Sequence, residues 1–160
     1  MYLQILSLQM RLEEHIKSKN PISIEKKIVL NVLLTQNLVT EKMNDVLKPF
    51  ELSIEQFNVL RILRGQNGKP ANMCVIQERM IAKTSNTTRL VDKLLSKELV
   101  TREVCENNRR KMEISITAKG LTLLSHLDDK IENCECQFAN NLSGPEQILL
   151  NELLEKFRTI

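Results

Sequence analysis

The sequence predicts a mainly α fold with a small β-hairpin wing. Three observations carry this. Apolar residues recur at helical spacing through most of the 160 residues, and only four Gly and four Pro punctuate them. Strand-like alternation occurs in one place, on either side of a short polar stretch at 106–111. Aromatics make up 3% of the chain and Trp is absent, so the core must be aliphatic, as suits packed helices.

The elements follow in order. Residues 1–19 carry Leu3, Leu6 and Met10, then Glu13, Glu14 and Lys17, at roughly helical spacing, and Asn20-Pro21 interrupts them. A long helix is expected over Ser23–Leu47, with Ile28, Val32, Leu38, Met43 and Val46, and Lys48-Pro49 ends it. Ser53 and Gln56 form a capping box ahead of Phe57, Leu60 and Leu63. The run from Arg64 to Pro70 is a turn, and Asn72 caps a short helix with Val75, Ile76 and Met80. After a break near Ala82-Lys83, Thr84 or Ser85 is expected to cap a helix reaching Lys97. Leu99–Cys105 and Met112–Thr117 then read as a hairpin with Glu106–Lys111 as its basic tip. Thr117 caps the next helix, with Leu121, Leu124, Leu127 and Ile131, and Ser143-Gly144-Pro145-Glu146 starts the last.

This order is a winged helix-turn-helix. The organisation expected is N-terminal dimerisation helices over 1–50, a winged lobe over 51–117 and C-terminal dimerisation helices over 118–160. The flanking helices have aliphatic faces and no sheet to cover, which suggests packing against a second copy.

Net charge is only +3, but the segment from Lys83 to Lys111 holds eight cations and four acidic residues. A locally basic segment on a near-neutral chain suits phosphate binding. In helix-turn-helix proteins the second helix enters the major groove. Here Leu90, Val91, Leu94 and Leu95 would form its buried side, while Asn86, Arg89, Lys93 and Lys97 line the other. The start, Thr84-Ser85-Asn86-Thr87-Thr88-Arg89, has more short polar side chains than capping requires. Asn and Arg there can contact adenine and guanine edges. In the hairpin, Asn107-Asn108-Arg109-Arg110-Lys111 places three consecutive cations at an exposed tip, where mutual repulsion is relieved by an anion. An Arg there can enter the minor groove.

Several motifs together resemble a known family. They are Leu52-x3-Gln56-x2-Val59-Leu60-x2-Leu63, Thr88-Arg89-Leu90-Val91-Asp92-Lys93-Leu94, Leu99-Val100-x-Arg102, and Asn108-Arg109-Arg110-Lys111-Met112-Glu113-Ile114-Ser115-Ile116-Thr117-x2-Gly120. The chain resembles the multiple-antibiotic-resistance regulator (MarR) family of bacterial winged-helix proteins, most strongly over 52–120. The resemblance implies a DNA-binding transcription regulator, acting as a homodimer with interlocking terminal helices. It places Ser85, Asn86, Thr87, Thr88 and Arg89 toward the major groove and Arg110 at the minor groove, with Lys93, Asn108, Arg109 and Lys111 completing the DNA-binding set. It implies a ligand-responsive repressor on a pseudo-palindromic operator, with a small effector binding between the dimerisation helices and the lobe. Two positions depart from the family pattern. Asn108 replaces an Asp that commonly orients a neighbouring arginine, and Glu98 stands where Lys-Gly is usual, so the helix before it must close without glycine.

Other functions find less footing. No Ser-His-Asp set, phosphate loop or carboxylate pair emerges, so an enzyme is not expected and no cofactor is implied. Cys134 and Cys136 are two apart on an expected helix and face different ways, which is not a metal-ligand spacing. Cysteine sensing in some relatives uses a cysteine early in the long helix, where this chain has none. A winged-helix module that binds protein rather than DNA, and a thiol-based redox-sensing regulator, remain the alternatives. The apolar start lacks a basic region and cleavage site, and no run reaches the ~18–20 apolar residues of a membrane span. A cytoplasmic protein with reduced thiols is expected.

Overall fold

The computed structural model describes residues 11–82, 86–105 and 108–159, and for 108–110 the backbone alone. Helix α1 (Leu12–His15) leads to α2 (Ile24–Leu47), a 3-10 turn (Lys48–Phe50), α3 (Ile54–Arg64), β1 (Ala71–Asn72), α4 (Met73–Arg79), α5 (Thr87–Ser96), β2 (Val100–Cys105), β3 (Asn108–Ile116), α6 (Ala118–Ala139) and α7 (Gly144–Phe157). The chain divides into two compact units, Met1–Lys42 and Met43–Ile160.

In the first unit, the expected helical stretch over 1–19 is described only from residue 11, and Leu3, Leu6 and Met10 lie outside the described residues. Helix α1 stops at His15, and Lys17 takes a left-handed conformation (φ 53°), which turns the chain before Asn20-Pro21. Lys27 Nζ meets Glu13 Oε1 at 2.6 Å. The expected long helix forms, but its apolar residues Ile24, Ile28, Val29, Leu33 and Leu38 are exposed in the single chain.

The second unit contains the aliphatic core. Phe57, Val59, Leu60 and Leu63 of α3 pack with Ile76 of α4, Val91 and Leu94 of α5, Leu99, Val100, Ile114, and Leu124, Leu127 and Ile131 of α6. Fully burying a side chain of this size contributes ~1.5–3 kcal/mol, so this cluster fixes how these four helices sit. Phe57 is the single aromatic among its largest fully buried side chains. Gln56 is buried without penalty because its Oε1 accepts from Ser53 N (3.0 Å) while Ser53 Oγ accepts from Gln56 N (3.3 Å), the expected capping box. Asn72, Thr117 and Ser143 begin α4, α6 and α7 as their side chains predict.

The sheet has three antiparallel strands in the order β1-β3-β2. Strand β1, paired as Ala71↔Ile114 and Asn72↔Glu113, has no counterpart in the sequence reading. Two residues are too few to show alternation. Their strand character comes from the backbone of β3 beside them.

Candidate nucleic-acid interface

Helix α5 is built to bury one side and present the other. Its cap is Asn86, not Thr84 or Ser85: Asn86 Oδ1 accepts from Arg89 N at 3.2 Å, and Asn86 O accepts from Leu90 N. Thr84 and Ser85 lie outside the described residues. Thr87, Val91 and Leu94 are buried, and Leu90 and Leu95 half-buried. The opposite side presents Thr88, Arg89, Asp92, Lys93 and Ser96 to solvent. Two expectations change here. Thr87 is 6% exposed, so the structure turns it to the core rather than toward a groove, because it shares a side with Val91 four residues on. Asn86 is exposed, but its carbonyl oxygen is engaged in capping.

The C-terminus of α5 closes in a Schellman turn. Glu98 N donates to Leu95 O (2.9 Å) and Leu99 N to Leu94 O (3.0 Å), with Glu98 left-handed at φ 60°. A glycine would take this conformation without strain; in an L residue it costs roughly 1–2 kcal/mol. The surroundings hold it. Thr117 Oγ1 donates to Glu98 O (2.8 Å), Lys119 Nζ meets Glu98 Oε2 (2.8 Å), and Thr117 N donates to Leu99 O (3.1 Å). The Lys119 ammonium, by hydrogen bond first and charge second, holds the Glu98 carboxyl below its ordinary value. Gly120 completes the junction, since a Cβ there would lie 2.4 Å from Leu99 O.

Two more links fix α5. Lys97 does not join the outer row; its Nζ donates to Glu51 O (2.7 Å) and meets Glu51 Oε2 (3.1 Å). On the outer face, Arg102 Nη2 of β2 meets Asp92 Oδ1 at 2.6 Å. Arg89 and Lys93 have no ion-pair partner among the described residues. The sequence reading counted Asp92 and Arg102 as separate charges. Their pairing was invisible because they are ten residues apart on different elements, with no helical or strand period relating them.

The hairpin is also rearranged. Strand β3 starts at Asn108, so Arg109, Arg110 and Lys111 lie within the strand instead of in a long tip. The register runs from Val100↔Ile116 to Val104↔Met112 and then jumps to Cys105↔Asn108. Residues 109, 110 and 111 are therefore extra on β3, an enlarged bulge at the end of the wing. Bulging breaks pairing locally, so these three cationic positions stand outside the regular ladder. Lys111 is exposed. The four thiols are free, with Cys134 buried and Cys136 exposed on α6, Cys74 exposed and Cys105 half-buried. No group of three or more metal-ligating side chains occurs among the described residues.

The helix–turn–helix–wing order, with Arg89 and Lys93 on the outer face of its second helix lacking an ion-pair partner among the described residues and three basic positions in the wing, defines a winged-helix nucleic-acid-binding protein. Comparison with known proteins narrows this. The MarR family profile matches residues 52–112. The regulator MgrA of Staphylococcus aureus is 31% identical over 116 residues, covering 71% of this chain and 74% of MgrA. MhqR of Bacillus subtilis is 29% identical over 105 residues, 64% of this chain and 71% of MhqR. YpoP of the same organism is 32% identical over 92 residues, of which the match spans 63% of YpoP's length and 58% of this chain. Among solved structures, a MarR transcription factor from Planctomyces limnophilus superposes with a TM-score of 0.67 at 29% identity, covering 85% of this chain and 98% of that one. Bordetella bronchiseptica BpsR, whose DNA binding is regulated by 6-hydroxynicotinic acid, shares the fold at a TM-score of 0.77 and 16% identity, over 88% and 99% of the two chains. The chain belongs to the MarR family of winged-helix transcriptional regulators, which are not enzymes.

Proposed function

We propose that this chain is a ligand-responsive repressor that binds a pseudo-palindromic operator as a homodimer in the cytoplasm. Each copy would lay the outer face of α5 in the major groove and the β2–β3 wing along the adjoining minor groove. The observation that carries this reading is the pairing pattern on α5. Among the described residues Arg89 and Lys93 are exposed and have no ion-pair partner, while Asp92 on the same helix and Lys97 at its C-cap are engaged within the protein. Exposed cations on a helix tied to its neighbours by Lys97, Glu98 and Asp92 suit phosphate and base contacts.

Roles follow for the site residues. Thr88 and Arg89, with the amide nitrogen of Asn86, would face base edges, and Ser85 would stand at the same end. Lys93 would hold phosphate. Arg110 would enter the minor groove, flanked by Asn108, Arg109 and Lys111. The exposed aliphatic residues of α2, and Ile148, Leu149, Leu150, Leu153 and Phe157 of α7, support a second copy as their cover. The winged lobe over 51–117 would be the reading unit, with helices on both sides of it in the dimer. A small effector, which the family resemblance supports, would weaken DNA binding by favouring one spacing of the two recognition helices over the other.

The test is selection from a random duplex library, followed by binding across a salt series. A preferred pseudo-palindrome with half-sites about one helical turn apart, and log affinity falling linearly with log salt, is expected. Arg110→Ala should reduce the salt slope by about 1 while leaving the preferred sequence recognisable. Equal affinity for all duplexes at every salt concentration would reject the reading.

A further inference from the structure

Asp92 is an unusual neighbour for the cations on the outer face of α5. It is exposed, lies between Arg89 and Lys93, and shares their side of the helix. A carboxylate held toward DNA repels phosphate. It also lies three residues after Arg89, the spacing at which opposite charges pair on a helix surface. Left alone, it would both oppose the backbone and occupy the arginine proposed to read bases. The structure pairs it elsewhere. Asp92 Oδ1 is held at 2.6 Å by Arg102 Nη2, which reaches it from β2 and is the more buried partner, its side chain 26% exposed against 52% for Asp92.

We propose that Arg102 is a positioning residue for DNA binding. It neutralises Asp92 from the wing side and leaves Arg89 free for the duplex. The inference rests on the reading of α5 as the groove-facing helix. Arg102 touches no DNA in this scheme; its effect passes through Asp92. Removing the arginine alone is therefore worse than removing both charges. A loss caused by an uncompensated carboxylate disappears when that carboxylate is neutralised.

The experiment uses the full chain and two duplexes of about 30 bp, long enough for two half-sites a helical turn apart: the tightest from a random library, and an unselected one. Affinity is measured by fluorescence anisotropy over a salt series for the parent chain, Arg102→Gln, Asp92→Asn and the double variant, with a melting curve for each. Arg102→Gln should raise Kd about fivefold or more on both duplexes, the size of one unit-charge repulsion near a phosphate in water, and the effect should shrink as salt rises. Asp92→Asn should bind no more weakly than the parent on the unselected duplex. The double variant should return to within about twofold of the parent on that duplex. Such rescue is not expected of a residue that merely supports the fold.

A double variant as weak as Arg102→Gln would overturn the proposal, since Arg102 would then be gripping phosphate itself. A melting temperature that falls in step with affinity across all three variants would overturn it as well. If the parent chain selects no duplex, the DNA-reading proposal fails first and this inference falls with it. If the parent selects one but the double variant is not rescued, only this inference fails.

Discussion

At the start of α5, one side chain serves two ends. Asn86 caps the helix through Oδ1 and leaves its amide nitrogen exposed, so truncation should act on stability and on binding together. Asn86→Ala should lower unfolding free energy by about 1 kcal/mol, the usual worth of an N-cap, and weaken operator binding as the helix start frays. Arg89→Ala separates the two effects. Its guanidinium has no ion-pair partner among the described residues, so the melting temperature should hold while operator affinity falls by ~1–3 kcal/mol and preference relaxes at one or two base pairs. Denaturant titration alongside anisotropy on selected and unselected duplexes checks both. Gly120 is constrained by space. Its missing Cβ admits the Leu99 carbonyl, and Gly120→Ala would set a methyl 2.4 Å from that oxygen and 2.8 Å from Ile116 Cγ1. Backbone cannot step aside as a flexible side chain does, so the variant should lose ~1–3 kcal/mol by denaturant titration.

Among the elements, α5 is tied at its C-terminus to Glu51, just after the 3-10 turn, through Lys97 and to Lys119 of α6 through Glu98, and along its outer face to β2 through Asp92. Helix α3 is tied to α6 by a bidentate pair, Arg64 Nη1 to Asp128 Oδ2 at 2.7 Å and Nη2 to Oδ1 at 3.0 Å. Hydrogen bonding to Arg64 holds the Asp128 carboxyl below its ordinary value and raises Arg64 in turn. A carboxyl whose value is depressed on folding stabilises the fold above its unfolded value, and that contribution is lost as pH falls through the folded value. The loss therefore lies in the acid range, below the ordinary carboxylate value. Both side chains are more than a third exposed, so screening limits the contribution to roughly 0.2–1 kcal/mol. Asp128→Asn should destabilise by that amount at pH 7 and converge with the parent at low pH. A stability difference unchanged between pH 7 and pH 2.5 would contradict the assignment.

At the scale of the whole molecule, the exposed apolar residues of α2 and α7 would carry the proposed dimer. Leu153 is 53% exposed and Leu33 50%, on helices whose polar sides would suffice for solubility. A chain of 18.5 kDa should therefore sediment at twice that mass. Leu153→Glu should shift it toward monomer and lose the operator affinity that depends on two half-sites bound together, while binding to an unselected duplex falls less. Sedimentation equilibrium with anisotropy on both duplexes separates these outcomes.

Local chemistry made most of the helices and caps legible in the chain. Ser53, Asn72, Thr117 and Ser143 hold oxygens where a helix start leaves N–H groups open, and the 3.6-residue period does the rest. That period also marked Arg89 and Lys93 as outward. Contacts between residues far apart in sequence were settled by tertiary structure alone. Thr87 went inward because the core accepts it beside Val91, and β1 exists because β3 passes it. The cations 109–111 left the turn because β3 pairs back to Asn108, and Glu98 holds a glycine's conformation because α6 grips it. The basic character of the segment proposed to face DNA was readable as composition. Which of its charges are free and which are engaged was not, since ion pairing depends on distance in space, and sequence reports only distance along the chain.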